Sequence, residues 1–199
     1  MVKAQTWRVG MISCLLLVFM LLVAVGLGSQ TLTFAGIDAG TRIPSDLVAH
    51  NQNGQEVSLN SYHGQWLVLY FYPKDDTPGC TKQACALRDN YKKFRDEGIV
   101  IFGVSKQDAE SHRDFKAKYH LPFDLLTDEK GGLGKTFGVS SIPLIGIYKR
   151  QSVLISPDGT VARFFETVNP ESHDRIILET VRDFRKATHG ARPSPSPAP

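Results

Sequence analysis

The apolar positions of this chain fall into blocks with two different periods. Met11 to Leu27 is almost wholly apolar, broken by Ser13, Cys14 and Gly26. Trp66 to Tyr72 and Ile99 to Val104 are short continuous apolar runs rich in aromatic and β-branched residues, which predicts buried strands. Between them Ala84, Leu87, Tyr91 and Phe94 recur at helical spacing, and Gly98 supplies a stop, so a helix is expected there. Ala109 to Tyr119 carries Phe115 and Tyr119 four apart among charges and predicts an exposed amphipathic helix. Phe123 to Leu126 predicts a short strand and Leu133 to Phe137 a brief helix.

Two hairpins frame this centre. Leu47–His50 and Glu56–Leu59 flank the turn Asn51-Gln52-Asn53-Gly54, and Gln151–Ile155 and Val161–Phe165 flank Ser156-Pro157-Asp158-Gly159-Thr160. Asn169-Pro170 is expected to open a last helix, with Glu171 and Asp174 early and Arg182, Arg185 and Lys186 late, as the helix dipole favours. Strand–helix–strand crossovers imply parallel pairing, and the last hairpin adds antiparallel edges. The fold class expected is α/β, a mixed central sheet flanked by helices, preceded by an N-terminal hydrophobic segment.

Pro73 closes the run before it, because proline cannot donate to a central ladder. Thr77-Pro78 then predicts a helix start, threonine as N-cap and proline at the first helical position. Cys80 falls in the first turn, where backbone N–H groups are unpaired and the helix end is partly positive. A thiolate is stabilised in such a place, and the thiolate is the nucleophile. Cys85 follows five residues later. Five residues of helix rise about 7.5 Å and turn about 140°, so the two side chains diverge. A disulfide needs Cα atoms within about 7 Å, so this pair closes only if the first turns unwind. That points to a redox cycle more than to a static staple. A structural disulfide remains the alternative.

The chain has 199 residues, 42% of them hydrophobic, enough for one well-buried domain with tails. The net charge of +3 is accounted for by Lys3, Arg8 and Arg192 outside the folded part, which leaves no basic footprint for nucleic acid. The six histidines His50, His63, His112, His120, His173 and His189 are scattered and read as surface or satisfied polar groups; no metal site and no cofactor are expected. Gly131 to Thr136 resembles a phosphate loop but has Glu129 where the first glycine is required.

Lys3 and Arg8 precede the apolar segment and no Lys or Arg follows until Arg42. The positive-inside rule then sends the domain across a membrane. About 17 residues of helix span roughly 26 Å, slightly short of a bilayer core, and are slightly long for a signal peptide. The expected arrangement is residues 1–10 in the cytoplasm, 11–28 as anchor or signal peptide, 29–42 as linker, 43–188 as the folded domain and 189–199 as a disordered Pro/Ser tail. The expected location is a membrane-anchored domain on the extracytoplasmic side, periplasmic or lumenal. Secretion after signal cleavage is the alternative.

Pro73-x-x-x-Thr77-x-x-Cys80 resembles the active-site motif of the peroxiredoxins, and Cys85 five residues on matches the subgroup called bacterioferritin comigratory protein or peroxiredoxin Q. Arg150 leading Gln151–Ile155 into a turn resembles that family's second signature. Gln83 stands where glutamate is expected and reads as a surface change of little consequence. The resemblance implies a thioredoxin-like fold and a thiol-dependent peroxidase acting on hydrogen peroxide and organic hydroperoxides. It implies Cys80 as peroxidatic residue, Cys85 as its disulfide partner and a thioredoxin-type reductant. Thr77 and Arg150 would orient the peroxide, Pro73 would shield the thiolate, and the working unit would be a monomer. A free thiol near pKa 8.5 is about 3% ionised at pH 7, so ionisation alone yields about a thirty-fold gain, near 2 kcal/mol. The larger share must come from orientation and charge stabilisation. The alternative function is a membrane-tethered oxidoreductase exchanging protein disulfides.

Overall fold

The computed structural model describes residues 36–190. Seven strands form one sheet: β1 (Val48–Asn51), β2 (Glu56–Ser58), β3 (Trp66–Phe71), β4 (Ile99–Ser105), β5 (Asp124–Thr127), β6 (Gln151–Ile155) and β7 (Val161–Phe165). The helices are α1 (Pro78–Asp89), α2 (Tyr91–Asp96), α3 (Ala109–Tyr119), α4 (Gly132–Thr136) and α5 (His173–Gly190), with a 3-10 turn at Leu59–Tyr62. The sheet order is β2-β1-β5-β4-β3-β6-β7. β3, β4 and β5 run parallel in the middle, while β1, β2, β6 and β7 pair antiparallel at the two sides.

The continuous apolar character of β3 follows from this position. Every residue of β3 is buried, because helices cover both faces of the sheet. Successive side chains go to opposite faces. Val68, Tyr70 and Tyr72 join a core with Leu87, Phe94, Phe115, Ile177 and Val181. Leu67, Leu69 and Phe71 join another with Phe102, Val104, Leu133, Phe137 and Tyr148. Gly103 lies opposite Tyr70, and a Cβ there would meet the Tyr70 ring at 2.7 Å, so the ring crosses β4 only because the residue is glycine.

Two helix boundaries differ from the periodic pattern. The helix expected to run through to Gly98 breaks at Asn90, whose backbone (φ −101°, ψ 9°) leaves the helical region. Its side chain donates to Asp174 at 2.8 Å, a pull toward α5 that the apolar spacing does not encode. The last helix begins at His173, because Asn169 Oδ1 accepts from Glu171 N at 2.9 Å and holds Pro170 in a turn. Arg182 and Arg185 near its end do not serve their own carbonyls; both bond Glu97 after α2. Residues 1–35, which hold the expected anchor, and 191–199, which hold most of the expected tail, lie outside the described residues; α5 runs on through 189 and 190, the first two residues assigned to that tail.

Candidate active site

β3 delivers the chain to the loop Tyr72–Thr77, and that loop is anchored on α3. Asp75 is buried and accepts from Tyr72 Oη at 2.7 Å and from Ser111 Oγ at 2.7 Å, with His112 Nδ1 2.8 Å away. Burial, with the neighbouring Tyr70 and Asp75 next, holds the Tyr72 phenol well above its ordinary range, so it stays a neutral donor. Asp76 takes a left-handed backbone (φ 56°) and is held by Lys118 Nζ at 2.6 Å and Tyr119 Oη at 2.5 Å. Those two bonds, Lys118 first, pull its carboxyl below the usual range.

Thr77 is the N-cap of α1 by backbone, and Pro78 occupies the first helical position, as the sequence predicts. Its side chain does not cap, contrary to expectation. Thr77 Oγ1 donates to the Lys74 carbonyl at 3.1 Å, and among the described residues it has no bond to Cys80 or Arg150. The hydroxyl therefore shapes the loop Pro73–Thr77 rather than the helix end. Pro73 sits half-buried at the start of this loop.

Cys80 lies in the first turn of α1 with only 2% of its surface exposed. Arg150, directly before β6, reaches it: Nη2 lies 3.3 Å from Cys80 Sγ. Lys149 beside it is exposed. β6 pairs antiparallel with β3, so Arg150 at one strand's start and Cys80 beyond the other's end meet at the same end of the two strands. Gly79 makes room for this approach, since a Cβ there would lie 3.1 Å from Arg150 Nη2. Cys85 is on the same helix, half-buried, and both cysteines are free thiols.

Three participants escaped the sequence reading. Gln83 is fully buried, not a surface residue, and its Oε1 accepts from Arg150 Nη1 at 2.5 Å. Its other end lies 3.0 Å from His173 Nδ1. His173 is buried at the start of α5, and burial, followed by the charge of Arg150, pushes its imidazole down to about 3. Gly79 is the third. The signal for Gln83 was present: residues 80, 83, 84 and 87 lie on one face of α1, so a polar residue at 83 is buried and needs partners. His173 likewise shares a face with Ile177 and Val181. Among the described residues no cluster of His, Cys, Asp or Glu could hold a metal ion.

Residues 39–164 match the AhpC/TSA family. The chain is 40% identical over 156 residues to chloroplastic peroxiredoxin Q of Oryza sativa subsp. japonica, covering 78% of this chain and 70% of that protein. It is 41% identical over 157 residues to chloroplastic peroxiredoxin Q of Arabidopsis thaliana, covering 78% and 71%. Among solved structures, the bacterioferritin comigratory protein of Xanthomonas campestris superposes with a TM-score of 0.68 at 30% identity, covering 74% of this chain and 99% of that one. The chain belongs to the AhpC/TSA family of peroxiredoxins. Within that family it falls with the peroxiredoxin Q and bacterioferritin comigratory proteins, and the expected thioredoxin-like fold is theirs.

The expected location is corrected by the same relatives. A membrane-anchored, extracytoplasmic domain, or a secreted one, was inferred from the hydropathy and charge of residues 1–28 alone. The Oryza sativa and Arabidopsis thaliana relatives are chloroplastic proteins by name. Among the described residues, which do not include 1–35, no helix is long and apolar enough to cross a membrane. An apolar run flanked by two cations does not specify a compartment, and the membrane-tethered exchanger of protein disulfides is not favoured.

Proposed function

We propose that the protein is a thiol-dependent peroxidase in which Cys80 is the attacking sulfur and Cys85 its partner. The observation that carries this reading is the Arg150 guanidinium 3.3 Å from a cysteine in the first turn of a helix. Helix N–H groups and a cation both favour the anionic sulfur. Cys80 Sγ attacks the near oxygen of a hydroperoxide, the O–O bond breaks, and the departing alkoxide or hydroxide takes a proton. A sulfenic acid is left on Cys80. Arg150, whose other donor arm is held by Gln83, stabilises the charge moving onto the leaving oxygen. Pro73 shields the thiolate from water, and Thr77, whose hydroxyl holds the loop before Cys80, orients the peroxide.

The Cys85 sulfur then attacks the sulfenic sulfur and releases water, giving the disulfide. Both residues lie within the continuous helix Pro78–Asp89, so the turns between them must open. Opening breaks the bonds of Gln83 to Arg150 and to His173 and frees Lys82 from Glu171. An external dithiol protein of thioredoxin type reduces the disulfide, and the sum is one hydroperoxide and one dithiol converted to an alcohol, water and a disulfide. Because the two cysteines share one helix, the cycle closes within a single chain, which supports a monomer as the working unit. The Xanthomonas campestris relative is described by its alkyl peroxide reduction activity, which supports organic hydroperoxides as substrates here.

The test is a stopped-flow measurement of peroxide consumption by the reduced protein. The Cys80→Ser variant is expected to consume none. Consumption at the native rate by that variant would refute the assignment.

A further inference from the structure

Both ends of the Gln83 amide are committed. A guanidinium has only donors, so the end facing Arg150 Nη1 at 2.5 Å must be the amide oxygen. The NH2 end therefore faces His173 Nδ1 at 3.0 Å, and that nitrogen must accept. His173 is thus a neutral imidazole with its proton on Nε2. That Nε2 is buried without a hydrogen-bond partner, and the Phe165 ring stands nearly perpendicular to the imidazole at 5.6 Å. The acidic groups nearest in sequence to His173 are engaged elsewhere: Asp174 with Asn90, Glu171 with Lys82. Among the described residues no carboxylate pairs with Arg150; its bonded partners are a neutral amide and the Cys80 sulfur.

We propose that Gln83 is a positioning residue that holds Arg150 against Cys80 without cancelling its positive charge, and that neutral His173 fixes which way the Gln83 amide faces. An acid in this place would anchor the guanidinium equally well. It would also set a negative charge one guanidinium away from the sulfur and weaken the field that favours the thiolate. The chain thus separates two tasks, orientation and neutralisation, that an ion pair would combine. The consequence for catalysis rests on the peroxidase reading above; the geometry does not.

The test uses the full chain and the Gln83→Glu variant, with iodoacetamide labelling of the Cys80 peptide followed by mass spectrometry between pH 5 and pH 9. Gln83→Glu is expected to displace the labelling profile of Cys80 by about one unit to higher pH, so that on the acid limb the peptide labels about ten-fold more slowly. A profile that does not move, or moves to lower pH, overturns the proposal. A second readout needs no substitution. Long-range nitrogen–proton NMR of His173 in the unaltered protein at pH 7 is expected to show a neutral ring protonated at Nε2. An imidazolium, or a proton on Nδ1, overturns it. In Gln83→Glu the same signal is expected to show Nδ1 protonated, because a carboxylate there can only accept. These measurements do not depend on turnover. If they come out as expected while the reduced protein consumes no peroxide, the peroxidase reading fails and this one stands.

Discussion

His173 makes the stability of this domain depend on pH in a specified direction. In the fold its imidazole is pushed from 6.5 to about 3, chiefly by burial and then by Arg150. In the unfolded chain it titrates near 6.5. The folded value is the lower one, so the unfolded state binds more protons as pH falls and stability falls with it. The contribution is fully present above pH 6.5 and is lost progressively from there down to about pH 3. At pH 5 the unfolded imidazole is almost fully protonated and the folded one is not. Between pH 7 and pH 5 the linkage amounts to about 2 kcal/mol, a large part of the stability of an ordinary domain. The assay is urea unfolding at both pH values for the native chain and for His173→Asn, which cannot titrate in this range. The native chain is expected to lose about 2 kcal/mol more than the variant on going from pH 7 to pH 5. Equal losses would refute the reasoning, and so would a larger loss in the variant.

Other expectations follow from the site and the core. Arg150→Met should slow peroxide reduction by about 100-fold or more, since the guanidinium acts on developing charge, and should cost about 1–3 kcal/mol of stability, because the buried Gln83 Oε1 loses its donor; rapid-mixing kinetics and urea unfolding of each protein check this. Cys85→Ser should retain one rapid turnover and then stall, because the sulfenic acid has no partner; a burst of one equivalent without steady consumption is the signature. Gly79→Ala, whose Cβ would lie 3.1 Å from Arg150 Nη2, should slow the same burst several-fold by displacing the guanidinium from the sulfur, and an unchanged burst rate would speak against close packing there. Leu87→Ala, at a site with no exposure, should destabilise the fold by about 2–5 kcal/mol in denaturant unfolding.

The strands and the helix start were legible because the rules that mark them are local. Trp66–Tyr72 could be read as a buried strand from its composition, and Thr77-Pro78 as a helix start from two residues. The pairing of Cys80 with Cys85 was open to argument from helix geometry alone. Arg150 needed more: nothing between residues 80 and 150 says that β6 lies beside β3, so its role came only from resemblance. The helical spacing does place Gln83 on the buried face beside Cys80, Ala84 and Leu87, but its partners arrive from the residue before β6 and from α5. The break at Asn90 and the side-chain behaviour of Thr77 were hidden for the same reason. Each is decided by a bond to a group whose position depends on the finished fold or loop. The N-terminal segment shows the opposite failure, where a clear local signal was extended to a compartment it does not encode.

Turnover depends on a sulfur–sulfur bond that the reduced helix cannot contain. The most direct measurement is the intact mass and the Cys80–Cys85 peptide map of the reduced chain after one equivalent of peroxide. Loss of two hydrogens is expected, with a peptide in which Cys80 and Cys85 are linked. A chain left wholly in the thiol form, with the peroxide unconsumed, would contradict it.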